Sequence, residues 1–81
     1  MDDRQIQEQI SSMIESEKSL RERLAAGEIS AAEEHAELAH LEVALDQAWD
    51  LLRQRRARRE FGENPDDASE RPANVVEGYL E

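Results

Sequence analysis

Large apolar residues recur through the first part of the chain at Ile6, Ile10, Met13, Ile14, Leu20 and Leu24. Steps of four, three and four gather them on one face of a helix, whose turn takes 3.6 residues. The position that would carry the stripe from Ile14 to Leu20 holds Glu17, close to the centre of the apolar face. Asp2 or Asp3 suits the cap in front of this helix, where a carboxylate accepts the free amide protons of the first turn. Gly27 in Ala25-Ala26-Gly27-Glu28 fits the left-handed position that closes a helix. Ser30 with Glu33 three residues on forms a capping box, so a second helix begins at Ala31. Its apolar positions Leu38, Leu41, Leu45, Ala48 and Leu52 make a heptad seam, with Trp49 on the flank and Glu34 in phase near the turn. Beyond Leu52 the in-phase positions become Arg55, Arg56 and Arg59, and nothing breaks the helix until Gly62 and Pro65.

A connection this short predicts an antiparallel helical hairpin. The expected fold is all-α and coiled-coil-like. The hairpin spans residues 1–62, with helix 1 over about 4–26 and helix 2 over about 31–61. At 1.5 Å per residue the helices measure roughly 31 and 45 Å, which sets Ile6 level with about Leu51 and leaves the arginines as an overhang. Two helices share one interface and leave half of each stripe wet, too little burial for the length of chain ordered. A second copy completing a four-helix bundle is the simplest remedy, hence an expected homodimer. The alternative is a monomer whose tail supplies the missing layer. Residues 63–81 form that tail, acidic, proline-containing and expected to be extended. It ends with Val75, Val76, Tyr79 and Leu80, apolar residues expected to dock on the hairpin or on a partner.

Charge changes this picture at one place. The net charge is −10, yet residues 53–59 hold Arg53, Arg55, Arg56, Arg58 and Arg59 and no acid. A chain of 81 residues allows one domain, and the absence of cysteine excludes disulfides and thiolate chemistry. No run approaches the ~18 apolar residues of a membrane span, and no leader pattern opens the chain, so a cytoplasmic protein without membrane contact is expected.

The arginines admit three readings. They can be structural, matching the negative end of the helix dipole and pairing with Asp50, Glu60 and the acidic tail. They can clamp the carboxylates of a protein partner. They can bind nucleic-acid phosphates, which the overall negative charge and the lack of an aromatic platform other than Phe61 disfavour. Glu37 and His40 have the Glu-x-x-His spacing of carboxylate-bridged di-iron bundles, with Glu17 near the height of His40, but the helical wheel turns His40 toward water. No nucleophile–base pair and no glycine-rich phosphate loop is present, so neither an enzyme nor a cofactor is expected. Glu17 and Glu34 suit either pairing across the interface, with Arg21, Arg23 or an arginine of a partner, or snorkelling to the edge of the bundle.

The stretch Leu45-Asp46-Gln47-Ala48-Trp49-Asp50-Leu51-Leu52-Arg53-Gln54-Arg55-Arg56-Ala57-Arg58-Arg59, followed by Pro65-Asp66-Asp67-Ala68 and Val75-Val76-Glu77-Gly78-Tyr79-Leu80, resembles a family of short actinobacterial proteins catalogued as a domain of unknown function. One departure is Ser16-Glu17-Lys18, where the family pattern expects Glu-Glu-His. The resemblance implies an actinobacterial, cytoplasmic protein and brings no activity. The functional expectation is therefore a non-enzymatic interaction or regulatory protein. Its contacts would be Trp49, the five arginines and the apolar residues Val75, Val76, Tyr79 and Leu80, with a small nucleic-acid-associated protein as the alternative and a carboxylate-bridged metal protein last.

Overall fold

Asp2 starts the first helix. Its side chain accepts a hydrogen bond from the Gln5 amide at 2.8 Å, and the Gln5 side chain accepts one from the Asp2 amide at 2.9 Å. This reciprocal pair satisfies two of the amides a helix start leaves open. From there α1 runs Asp3–Ala25 and α2 runs Ala31–Glu60. The computed structural model describes the backbone of residues 1–80 and the side chains of residues 1–77. Tyr79 and Leu80, expected to dock, have side chains outside the described residues.

Both long helices end the same way. Gly27 and Gly62 take φ of 75° and 71°, which only glycine adopts without strain. The amide after each glycine then bonds back across the last turn, Glu28 to Arg23 and Glu63 to Arg58. This motif closes the helix and turns the chain sharply. At the first turn it leads straight into the Ser30–Glu33 capping box of α2, so the hairpin bend is defined on both sides by local chemistry.

Ile6, Ile10, Ala48 and Leu51 form the buried core of the α1–α2 interface, with Met13, Leu45 and Leu52 packed against them. The level expected from helix lengths, Ile6 near Leu51, is the one found. Glu17, in the middle of the apolar stripe, is partly covered and pairs with Arg21 one turn on at 3.5 Å.

The tail differs from the extended path expected. A 3-10 turn over Pro65–Asp67 and a third helix, α3, over Ala73–Leu80 both pack on α2. The Asn64 side chain accepts the Asp66 amide at 3.0 Å and so caps the 3-10 turn. Proline at its first position supplies the required φ and lacks the amide that would go unbonded. In α3, Val76 is buried while Val75 is exposed. The resulting molecule has extents of 51 × 26 × 14 Å. Both α1 and the tail pack on α2, and Ala68 of the tail also packs against the buried core of the α1–α2 seam.

Candidate functional site

The arginine-rich end of α2 divides into two unlike halves. Arg55 is buried and forms a hub. Its Nε donates to Asp3 Oδ1 at 2.5 Å, and its Nη1 donates to the Pro65 carbonyl at 3.1 Å and to Asp66 Oδ1 at 3.0 Å. Arg59 Nη2 donates to the other oxygen of Asp3 at 2.6 Å, and Arg58 Nη1 donates to Glu63 at 3.1 Å. The start of α1, the end of α2 and the 3-10 turn thus meet on one guanidinium. The overhang expected from helix lengths is tied down on one side only, since Arg56, Ala57 and Arg59 stay exposed. Helix α1 begins at Asp3, whose carboxylate receives two long arginine side chains reaching back along α2.

Hydrogen bonds from Arg59 and Arg55, with their charges, lower the Asp3 carboxyl from 3.8 to about 2. The same pairs push both guanidinium values further up, so both arginines stay charged. A carboxylate lowered on folding gives stability that is full above its unfolded value near 3.8 and fades as pH falls toward 2. Thermal melts should therefore show Asp3→Asn less stable than wild type at pH 7, with the two converging at pH 2. Melting temperatures differing equally at both pH values would mean the Asp3 carboxylate is not paired.

A second polar cluster straps the tail to α2. Asp50 is buried, and its carboxylate accepts two bonds from Arg71, one from Nε to Oδ2 at 2.8 Å and one from Nη2 to Oδ1. Gln54 Nε2 donates to Asp50 Oδ2 at 3.0 Å and to the Ser69 carbonyl at 2.9 Å. Gln47 Nε2 donates to the Arg71 carbonyl at 3.2 Å. Gln47, Asp50 and Gln54 sit three and four residues apart, hence on one face of α2. They read the backbone and side chain of residues 69–71. The Arg71 hydrogen bonds are the main cause that lowers the Asp50 carboxyl below its ordinary value, against the desolvation that would raise it. Among the described residues no buried side-chain polar atom lacks a hydrogen-bond partner. The sequence alone offers Asp50 only as a helix neighbour for the arginines and points to no role for Arg71. The available signal was that Arg71 is the sole base after residue 59, in a stretch otherwise acidic.

What remains is an open face on the side of α2 away from the tail. Trp49 is 47 % exposed there. With Asp3, Gln7, Leu52, Arg53, Arg56 and Arg59 it lines a shallow groove of about 220 Å³ between the two helices. Arg53 approaches Asp50 only at 4.0 Å, and Arg56 makes no ion pair among the described residues. Ile14, 51 % exposed, extends the same face on α1. Of the residues expected to contact a partner, then, Trp49, Arg53, Arg56 and Val75 are exposed, Arg58 and Arg59 are held in internal ion pairs, and Arg55 and Val76 are buried. Glu37 and His40 are both exposed on α2. Among the described residues no three His, Asp or Glu side chains gather as a metal ion would need, and no helix is long and apolar enough to cross a membrane.

Two long capped helices, strapped by a polar tail and bare on one face, define a small all-helical hairpin protein. The chain belongs to the family described as "Protein of unknown function (DUF2630)", whose model matches residues 2–81. An uncharacterized protein of Mycobacterium tuberculosis and one of Mycobacterium bovis are each 51 % identical to it over 70 residues, covering 86 % of this chain and 80 % of theirs. The family resemblance read from residues 45–59 and 75–80 is thereby established, with relatives in actinobacteria. No solved structure matches the chain.

Proposed function

We propose that this protein is a non-enzymatic, cytoplasmic interaction module that binds a protein partner through the open face centred on Trp49, Arg53 and Arg56. The observation that carries this reading is the division of the arginine run. Arg55, Arg58 and Arg59 spend their charge inside the molecule. Arg53 and Arg56 stay exposed beside the exposed tryptophan. An aromatic side chain flanked by arginines supplies the residue types that dominate binding energy at protein interfaces. Nucleic-acid binding is less well supported. Only Arg53 and Arg56 of the five arginines lack a close internal ion pair among the described residues, and Glu42, Asp46 and Glu60 lie on the same side of α2 by helical phase, where they would repel phosphates.

Affinity capture from an actinobacterial lysate tests the reading, with the full chain as bait beside Trp49→Ala and Arg56→Glu. Both residues are exposed, so both variants should keep wild-type helicity. The expected result is a protein, or a second molecule of the bait itself, retained by wild type and lost from both variants. If every association of the wild type persists in both, the open face is not the contact surface.

A further inference from the structure

We propose that the occupant of the open face is a second copy of this chain, packed antiparallel across a two-fold axis at Ile14. The inference rests on the open face being the contact surface and adds the identity of the partner.

Three observations lead there. First, α1 and the tail cover two sides of α2, while its third side, bearing Trp49, Arg53 and Arg56, has no element packed over it among the described residues, whereas a stable domain stacks two layers around its core. Second, the face carries a large apolar side chain on each helix, Ile14 at 51 % and Trp49 at 47 % exposure, with Leu38, Leu45 and Leu52 half-covered between them. Third, α2 is electrically polar along its length. Its first half holds Glu33, Glu34, Glu37 and Glu42 with no lysine or arginine, and its second half holds the five arginines beside Asp46, Asp50 and Glu60. Two such helices attract when they run antiparallel and repel when parallel.

The register follows from positions already fixed. Ile14 is the middle residue of α1. With Ile6 opposite Leu51 and equal rise in both helices, Ile14 lies level with Val43 and Ala44. A two-fold axis there sets Ile14 against the partner subunit's Ile14. It carries Trp49 over the partner subunit's Leu38, which shares its face of α2. It brings Arg53 and Arg56 within about one helical turn of the partner subunit's Glu34. On α1 the same operation sets Gln7 against the partner subunit's Arg21, while on α2 it brings Glu42 level with the partner subunit's Asp46, a like pair at the exposed rim of the contact. Parallel hairpins would instead place Trp49 over polar residues near Gln7 and Gln9, and Arg53 beside Arg4, losing both the apolar and the ionic match. The antiparallel product is a four-helix bundle in which the exposed Arg53 and Arg56 and the acidic half of α2 complete each other.

Sedimentation equilibrium of the full chain should give a dimer. Arg53→Glu/Arg56→Glu and Glu34→Arg should each weaken it about tenfold or more. An equimolar mixture of the two should recover association as a heterodimer, which a folding defect could not do. Because the chain has no cysteine, Ile14→Cys should form a disulfide-linked dimer on mild oxidation, while Ala57→Cys, exposed off this face, should not. A monomer at about 100 µM overturns the proposal, as does a dimer in which Ile14→Cys cross-links no better than Ala57→Cys. If the chain is monomeric yet Trp49→Ala loses a different captured protein, the second-copy assignment falls and the interaction reading stands.

Discussion

Replacing Arg55 by alanine is expected to destabilise the fold by about 2–3 kcal/mol, whereas Arg56→Ala, one residue away, should stay within about 0.5 kcal/mol of wild type. The contrast comes from burial and partners rather than charge. The Arg55 side chain is 6 % exposed and holds Asp3, the Pro65 carbonyl and Asp66. Cutting it back to alanine leaves a cavity and removes the polar link between the start of α1 and the 3-10 turn. The loss stops short of the full cost of breaking a buried pair. Asp3 keeps Arg59, and Asp66 is 70 % exposed and can return to water. Arg55→Lys should recover only part of the loss, because an ammonium lacks the planar fork that serves partners in different directions. Urea unfolding monitored by helical circular dichroism measures all three variants. Equal midpoints for Arg55→Ala and Arg56→Ala would show that the hub contributes nothing.

The parts of this fold legible in the sequence are those whose signals are local or periodic. The capping box at Ser30, the closing glycines and the heptad seam each follow from residues within a turn or two of one another. The hairpin and its register around Ile6 and Leu51 follow from them. The hub was only half legible. Helix lengths correctly placed the arginines at the end of the apolar seam, but Asp3 was read as a possible cap, and nothing local says that it instead receives Arg55 and Arg59 more than fifty residues away. The tail strap was less legible still. Gln47, Asp50 and Gln54 form a polar stripe at helical spacing, and such a stripe on a long helix ordinarily means solvent. Its meaning depends on Arg71 returning from a segment with no periodicity of its own. The open face was visible as a tryptophan beside arginines, yet which arginines are free could be decided only once the internal pairs were known.

Asp50→Ala should destabilise the protein by about 2–3 kcal/mol and loosen one region selectively. The Asp50 side chain is 2 % exposed and its carboxylate takes bonds from Arg71 and Gln54. The Arg71 side chain is 36 % exposed, so part of the pair is screened by water and the loss lies below that of a fully buried bridge. Amide exchange in residues 73–77 should accelerate as α3 loses its strap, while α1, which makes no contact with α3 among the described residues, should keep its protection. Arg71→Ala should release the same segment by a different route, since it strands a buried carboxylate. That variant should suffer most at neutral pH and recover relative to wild type in acid, where Asp50 protonates and needs no partner. Wild type shows the opposite trend: its Asp50 pKa lies below the ordinary 3.8, so the stability it gains is present above that value and lost as pH falls. A double-mutant cycle joins the two tests. A coupling of about 1 kcal/mol or more between Asp50 and Arg71 identifies a structural latch. Coupling near zero, or faster exchange spread evenly over all three helices, would make the pair an incidental surface contact.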